Sequence, residues 1–248
     1  MIKLKNISYK YEDDFVLENI NLEINKNEKV ALLGCNGSGK STLLRILAAL
    51  YFPKGEYLFE NEKVTKKSAK KFRKRIGILF QNPDSMIFNP SVYDEIAFSL
   101  KEFGFRDIEK KVLEIARKFN IEKFLKKSPL NLSGGEKQKV MLASILAYNP
   151  ELLLLDEPST AMDPKTTGWF IDFLLDIDKT IILATHDLGV AYETCERAIV
   201  LDETHKIIYD GDIEELMKNL DILIKANLIH KHKKRDKNFI NSQYHTHF

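Results

Sequence analysis

Residues 34–41 read Gly34-Cys35-Asn36-Gly37-Ser38-Gly39-Lys40-Ser41, and this stretch decides the fold. It matches the full P-loop pattern, in which glycines let backbone N–H groups turn inward and hold phosphate oxygens. The apolar residues 29–34 before it predict a strand, and the apolar spacing of residues 41–50 predicts a helix after it. Because a phosphate-binding loop needs this strand and helix, a chance glycine-rich turn is the weaker interpretation.

The P-loop supplies the first candidate ATP-binding residues. Lys40 is long enough and has the charge to reach the β- and γ-phosphates, and the Ser41 hydroxyl can ligate Mg²⁺. The amino end of the following helix adds a dipole that favours an anion. The predicted ATP-binding set is Gly34, Cys35, Asn36, Gly37, Ser38, Gly39, Lys40, Ser41 and Thr42.

Two adjacent acids follow a second apolar strand. Residues 152–155 are four leucines, and Asp156 and Glu157 come directly after them. Ligands of open α/β sheets bind at this carboxyl end of the strands. We therefore predict that Asp156 is a Mg²⁺ ligand and that Glu157 orients or deprotonates the attacking water. Standing alone, the pair would more often be a solvated turn.

The remaining pattern predicts an α/β protein. Residues 2–11 and 16–24 alternate as antiparallel strands, residues 92–148 have helical spacing, and strands then alternate with helices up to residue 201. We predict a P-loop NTPase with a RecA-like, mostly parallel core sheet, an antiparallel N-terminal β subdomain and an inserted α-helical subdomain at about 83–147. The predicted ATP-binding domain covers residues 1–218, and residues 219–248 form a short C-terminal extension.

Composition and charge exclude several classes of function. The longest apolar runs are strand-sized, and residues 1–5 begin a strand rather than a signal peptide, so we expect a cytoplasmic protein that reaches the membrane through a partner. Two cysteines, Cys35 and Cys195, predict no disulfide framework and no zinc cluster. Residues 230–248 carry a net +4, and since the whole chain carries +2, the rest carries −2. That balance argues against a nucleic-acid partner.

A third motif resembles a known family. Leu132-Ser133-Gly134-Gly135-Glu136 is similar to the signature of ABC ATPases. Ser133 and Glu136 have the spacing of a capping box, and the glycines bare the backbone at a helix start, where an anion can bind. An ordinary capped helix would explain this motif if it stood alone. The resemblance implies that Ser133, Gly134, Gly135 and Glu136 cover the γ-phosphate of an ATP held by the opposite subunit.

Other elements match that family in order, up to about Met217. The resemblance implies that Gln81 links Mg²⁺ and water to a transporter partner, that Asp163 lies in a loop crossing the dimer interface, and that His186 contacts the γ-phosphate. Tyr11 aligns with the aromatic residue that stacks on adenine, although Tyr9 lies on the same strand face and either could be core. Residues 160–162 depart from the family's commoner sequence, which is a mild change of packing.

The resemblance implies an ATP- and Mg²⁺-dependent motor that powers a membrane transporter. Its partners would be a second ABC ATPase subunit, identical or not, and integral-membrane subunits, with the chain peripheral on the cytoplasmic face. Residues 80–84, 86–88, 92–98 and 222–228 look like those of energy-coupling-factor ATPases, which serve uptake of cobalt, nickel and vitamins. The alternatives are another ABC importer or exporter, or a soluble ABC protein acting on ribosomes or DNA. One P-loop and the short interval to the signature favour a single transport domain.

Two segments have open interpretations. Met86, Ile87 and Phe88 are apolar among polar loop residues, so they either dock the membrane partner or pack the helical subdomain onto the core. The tail contains two histidine pairs, 230/232 and 245/247. These pairs could bind Ni²⁺, Co²⁺ or Zn²⁺, but neighbouring lysines oppose this, and a solvated terminus near anionic lipid is the simpler interpretation.

Overall fold

The computed structural model describes residues 1–12, 14–160, 162–231 and 244–246. The strands are β1 (Ile2–Tyr11), β2 (Asp14–Ile24), β3 (Lys29–Leu33), β4 (Lys54–Phe59), β5 (Glu62–Lys63), β6 (Ile76–Leu79), β7 (Leu152–Asp156), β8 (Thr180–Thr185), β9 (Arg197–Leu201), β10 (Ile207–Asp212), β11 (Ile229–Lys231) and β12 (Tyr244–Thr246). The helices are α1 (Lys40–Leu47), α2 (Ala69–Arg73), α3 (Val92–Glu102), α4 (Ile108–Lys118), α5 (Gly134–Leu146), α6 (Pro164–Asp176), α7 (Leu188–Thr194), α8 (Ile213–Lys218) and α9 (Leu220–Lys225).

The core sheet has six strands in the order β10-β9-β3-β8-β7-β6, and all adjacent pairs are parallel except β9 with β10. The four leucines of β7 are buried, and alternate ones join different hydrophobic cores: Leu153 and Leu155 one, Leu152 and Leu154 the other. A strand covered on both faces has this continuous apolar pattern. The predicted α/β architecture is therefore confirmed.

A second sheet is antiparallel, with the order β2-β1-β4-β5. Ile2 of β1 lies opposite Ile24 of β2 on one side and Phe59 of β4 on the other, and all three are buried. This sheet shares its core with α1 and with Val30 and Leu32 of β3. The P-loop between β3 and α1 therefore lies next to both sheets.

The helical stretch lies between β6 and β7, where α3, α4 and α5 bury Ile96, Val112 and Val140 in one core. The C-terminal helices join the same core through Leu216 and Leu223. Within the described part of the chain, no helix has both the length and the apolarity needed to span a bilayer. The predicted histidine pairs include residues 232 and 247, which lie outside the described residues.

The structure differs from the sequence prediction in one helix boundary and in strands that the pattern did not show. Helix α1 ends at Leu47 and not near residue 50, because Ala49 adopts a left-handed φ of 54° that interrupts helical geometry. Strands β4 and β10 were not predicted. The first half of β4 is Lys54, Gly55 and Glu56, and β10 has no buried residue, so neither has the clear apolar alternation of a half-buried strand.

Candidate nucleotide-binding site

The P-loop lies against backbone from both sheets, which explains two of its glycines. A Cβ atom on Gly34 would lie 2.5 Å from the carbonyl oxygen of Leu201 in β9, and one on Gly39 would lie 2.5 Å from that of Val16 in β2. Gly39 also has a φ of 108°, which side chains other than glycine rarely allow. The loop path therefore requires glycine at both positions.

Lys40 is buried at the base of this loop. Its Nζ donates to the carbonyl oxygens of Gly34 at 2.6 Å and Cys35 at 3.2 Å, and lies 3.7 Å from Oε1 of Glu157. Burial lowers the pKa of Lys40, and the nearby carboxylates of Glu157 and Asp156 oppose that shift. These contacts hold a cationic group where the loop's N–H groups would receive phosphate.

Sheet register brings the second set of groups to the same edge. Leu33 at the end of β3 pairs with Thr185 of β8, and the preceding residue of β8, Ala184, pairs with Asp156 of β7. The Ser41 hydroxyl donates to Oδ1 of Asp156 at 3.0 Å. Burial raises the pKa of Asp156, and the bond from Ser41 opposes that shift. A hydroxyl and a carboxylate oxygen are thus adjacent, and both are hard ligands of the kind that Mg²⁺ prefers.

Glu157 occupies an unusual backbone position. Its φ is 48°, in the left-handed region, and its N–H donates to the carbonyl of Ala184 at 2.8 Å. Such a conformation costs roughly 1–3 kcal/mol in a non-glycine residue and is common at functional sites. The buried side chain accepts a 3.3 Å hydrogen bond on Oε2 from the Thr185 hydroxyl.

Lys40 and His186 approach different oxygens of the Glu157 carboxylate, Lys40 the Oε1 atom and His186 the Oε2 atom. Nδ1 of His186 is 2.9 Å from Oε2 of Glu157, a close approach without hydrogen-bond geometry. Among the described residues, Oε1 of Glu157 has no hydrogen-bond partner, although Lys40 is close to it. The carboxylate is therefore able to accept a proton or hydrogen bond from a reactant at this edge.

A cleft of about 400 Å³ lies over the P-loop and reaches Glu157, but neither Asp156 nor His186 lines it. It is lined by Val16, Cys35, Asn36, Gly37, Gly39, Lys40, Ser41, Thr42, Gln81 and Glu157. Ser38, by contrast, is buried beneath the loop, and its carbonyl oxygen is 3.3 Å from Nδ1 of His205. The sequence predicted neither Val16 nor His205, because neither belongs to a motif. Val16 reaches the loop from β2, and His205 reaches it from the turn between β9 and β10.

A larger cavity of about 580 Å³ lies at the opposite edge of the core sheet, beside Lys29 and Cys195. Its lining is rich in carboxylates, among them Glu28, Asp176 and Glu193. Carboxylates repel phosphate groups, so this larger cavity is a poorer candidate for a nucleotide than the smaller cleft at the P-loop.

Tyr9 and Tyr11, either of which the sequence could place in the core, differ in exposure. The Tyr9 ring stacks on Tyr51 with a centroid distance of 5.2 Å and packs against the core, whereas Tyr11 is 42% exposed. Tyr11 meets both rings edge to face. Of the two, Tyr11 has a face available for stacking.

The signature residues lie at the start of α5. The predicted capping box is confirmed: Oγ of Ser133 accepts from the N–H of Glu136, and Oε2 of Glu136 accepts from the N–H of Ser133 at 2.9 Å. These hydrogen bonds hold the pKa of Glu136 below its usual range. Ser133 and Gly134 are exposed, so this helix start is accessible to another molecule.

Asp163 caps the next helix in a similar way. Its Oδ1 accepts from the backbone N–H groups of Lys165 and Thr166, both at 3.0 Å, and its Oδ2 accepts from the Thr166 hydroxyl at 2.7 Å. These bonds, led by those of Thr166, lower the pKa of Asp163. The residue is exposed, and its carboxylate is held by its own helix.

A phosphate-binding loop whose last serine pairs with a carboxylate at the end of another strand of a parallel sheet defines a nucleoside triphosphatase of the P-loop class. Residues 17–160, more than half of the chain, match the family described as ABC transporter. The chain belongs to this family, and it is an ATPase whose hydrolysis of ATP is coupled to transport.

Curated relatives support the same family. A protein of Clostridium acetobutylicum, described in general terms as an ABC transporter ATP-binding protein, is 41% identical over 241 residues that cover 92% of this chain and 100% of the relative. The energy-coupling factor transporter ATP-binding protein EcfA1 of Mycoplasmopsis synoviae is 39% identical over 239 residues, which cover 92% of this chain and 87% of the relative.

Solved structures have the same fold. The structure of cbiO1 from Clostridium perfringens, part of the ABC transporter complex cbiONQ, matches with a TM-score of 0.80 and 32% identity over 92% of this chain and 94% of that one. The ATP-binding cassette MJ0796, a dimer bound to ADP and Pi, matches with a TM-score of 0.77 and 32% identity over 86% and 99%. ATPases of this family thus form dimers.

Proposed function

We propose that this chain is the ATP-hydrolysing subunit of an importer of the energy-coupling-factor type, working as a dimer on the cytoplasmic face of the membrane. Residues 1–218 would be the ATPase unit and 219–248 an extension. The likeness to EcfA1 and to cbiO1 supports the type of transporter. The cargo, a metal ion or a vitamin, would be selected by the membrane subunits.

The observation that carries the catalytic part of the proposal is the buried carboxylate of Glu157, 3.7 Å from Nζ of Lys40. Glu157 would orient and deprotonate the attacking water, and His186 beside it would contact the γ-phosphate. The P-loop N–H groups and Lys40 would stabilise charge on the transferred phosphoryl group. Tyr11 would stack on the adenine.

The site fits Mg²⁺. The Ser41 hydroxyl and the Asp156 carboxylate lie 3.0 Å apart, and Gln81, whose side chain contains an amide oxygen, lines the cleft together with Ser41. We propose these three residues as the protein ligands, with ATP phosphates completing the oxygen set. When bound, the ion would neutralise charge on the β- and γ-phosphates.

Each complete site would contain residues of two subunits. Ser133 and Gly134 are exposed at a helix start, which favours an anion such as the γ-phosphate of an ATP on the opposite subunit. Gly135, Glu136 and the loop at Asp163 would complete this interface. A single subunit would then bind ATP but hydrolyse it slowly.

An exposed aromatic pair, Phe88 and Phe98, is the proposed docking point for the membrane subunits. Phe88 is 67% exposed and meets Phe98, which is 43% exposed, with a centroid distance of 5.5 Å. Met86 and Ile87 are partly buried against the core, so packing explains those two residues and leaves Phe88 for an interface.

The docking proposal is tested by crosslinking in native membranes, where the chain and its membrane subunits are present together. A cysteine at Ser85, which is exposed near Phe88, should crosslink to a membrane subunit, whereas one at Lys218 on α8 should not. Phe88→Ser should reduce co-purification and leave ATPase activity of the free dimer intact. Identification of the co-purified subunits would also decide between this importer type, another ABC transporter and a soluble ABC protein. Crosslinking at both positions alike, or at neither, would contradict the docking site.

A further inference from the structure

Gln138 lies on the first turns of α5, and its side chain is 1% exposed. Its Nε2 donates to the carbonyl oxygen of Pro158 at 2.9 Å. Within the described residues, its Oε1 is buried without a hydrogen-bond partner. A buried amide oxygen without a partner costs free energy, and the bond from Nε2 to Pro158 is the contact that offsets this cost.

The carbonyl that Gln138 holds belongs to the residue directly after Glu157. The left-handed backbone of Glu157 is anchored on its amino side by the bond to Ala184 at 2.8 Å. Gln138 supplies an anchor on the carboxyl side. A strained backbone persists only where surrounding contacts fix it, and these two hydrogen bonds bracket the strained residue.

The same helix also carries the signature. Ser133 and Gly134 precede Gln138 by one turn or slightly more, and the next residue, Gly135, packs closely on α6: a Cβ there would lie 3.0 Å from Thr166. Thr166 in turn donates to Asp163 at 2.7 Å. Both ends of the loop from Pro158 to Asp163 are therefore held by contacts with the start of α5.

The start of α5 has a third contact. Nζ of Lys137 donates to Oδ1 of Asp84 at 2.8 Å, and Asp84 lies in the loop between Gln81 and the exposed Phe88. Lys137 and Gln138 are consecutive residues of α5, but they form hydrogen bonds with different parts of the subunit. Lys137 reaches the proposed docking loop, and Gln138 reaches the carboxyl end of β7.

We propose that Gln138 is a positioning residue. It would fix Glu157 relative to the signature of the same subunit, and that signature contributes to the partner's ATP site. The proposal rests on the proposed roles of Glu157 and Ser133. A shift of α5, driven by the partner's ATP or through Asp84, would be transmitted by the amide to the backbone at Pro158 and hence to Glu157. The two sites of a dimer would be coupled through this hydrogen bond.

The first test is steady-state ATP hydrolysis by the full-length dimer. Gln138→Met retains the volume of the buried side chain and removes its N–H donor, and Leu142→Met on the same helix is the matched control. Gln138→Met should lower kcat by about tenfold to a hundredfold with KM for ATP unchanged, because a small misplacement of a catalytic group costs rate rather than binding. The control should retain both constants. An unchanged kcat in Gln138→Met overturns the proposal.

Gln138→Glu gives a second readout that loss of packing would not produce, and it decides the matter if the methionine variant does not fold. The introduced carboxyl can donate to the carbonyl of Pro158 only when it is protonated. The kcat of this variant, as a fraction of the wild-type value at the same pH, should therefore rise as the pH falls. A fraction that is independent of pH overturns the proposed role of the donor.

Heterodimers test the coupling between sites. In each heterodimer, one subunit carries Glu157→Gln, so the working site combines Glu157 of the other subunit with the signature of this one. In the first arrangement, Gln138→Met is on the subunit with the intact Glu157. In the second, it is on the subunit that carries Glu157→Gln and supplies only the signature to the working site. Both should be slower than the heterodimer that carries Glu157→Gln alone. Unimpaired turnover in the second arrangement overturns the coupling. If the Glu157→Gln homodimer itself turns over like wild type, the proposed catalytic role fails instead, whatever Gln138 does.

Discussion

Glu157→Gln separates the two effects of the buried carboxylate. The substitution keeps the shape of the side chain but removes the proton acceptor and the negative charge that lies 3.7 Å from Nζ of Lys40. We expect hydrolysis to fall by about 10²- to 10⁴-fold, the usual contribution of a positioned general base. ATP binding should not be lost, because the P-loop and its lysine remain intact.

The affinity change can be worked out from the same distance. For two unit charges 3.7 Å apart, Coulomb's law with an effective dielectric constant of about 20 gives about 4.5 kcal/mol. Removing the carboxylate releases Lys40 from this attraction, and the lysine becomes available to phosphate. Since the carbonyl groups of Gly34 and Cys35 still compete for Nζ, only part of this energy should be gained. We expect ATP to bind about tenfold more tightly, which corresponds to about 1.4 kcal/mol.

The assays are phosphate release, direct titration with ATP and size-exclusion chromatography with Mg-ATP. The stalled variant should accumulate as an ATP-bound dimer. Glu151→Gln is the matched control, since that carboxylate is at the other end of β7 and pairs with Arg75 at 2.6 Å, away from the cleft. It should hydrolyse ATP at the wild-type rate. Wild-type turnover in Glu157→Gln, or weaker ATP binding, would refute the reasoning.

Three further predictions concern the rest of the site. Lys40→Ala should weaken ATP binding by roughly tenfold to a hundredfold, the value of a charge-assisted hydrogen bond, and an unchanged affinity in a direct titration would count against the P-loop assignment. Mixing Ser133→Arg subunits with Glu157→Gln subunits should restore some ATPase activity, because one composite site then carries both lesions and the other neither; no recovery in heterodimers shown to form would exclude shared sites. The capping box holds the pKa of Glu136 below its usual value, so its stabilising charge is present above about pH 4.3 and is lost as pH falls through the lowered pKa. Denaturant unfolding should therefore show Glu136→Gln to be slightly less stable than wild type at pH 7 and equal to it in strong acid, and a gap that widens on acidification would contradict this.

The sequence was most informative where one element determines its own structure. The P-loop with its flanking strand and helix, the four leucines of β7 and the capping box at Ser133 are local patterns, and the structure has each of them. Tyr9 and Tyr11 could not be separated by pattern, because their difference in exposure depends on the stacking of Tyr51 against Tyr9.

What the sequence did not predict depends on contacts distant in the chain. Strand β4 is fixed by pairing with β1, and its Gly55 lies against the carbonyl groups of Lys5 and Asn6, 49 or more residues earlier. Gln138 is twenty residues from its acceptor Pro158. The left-handed φ of Glu157 has no sequence signal, since glutamate rarely adopts it without tertiary support.

The position of the P-loop between backbone groups of β2 and β9 has a thermodynamic consequence. The cleft is lined by Val16 of the antiparallel sheet and by Lys40, Ser41 and Glu157 at the edge of the core sheet. A nucleotide bound there would therefore contact both sheets. A ligand that binds only the state in which both sheets are together stabilises that state by mass action. Separation of the antiparallel sheet from the core sheet would then be thermodynamically linked to release of the nucleotide. Bound ATP would therefore stabilise the contact between the two sheets, and its release would weaken that contact.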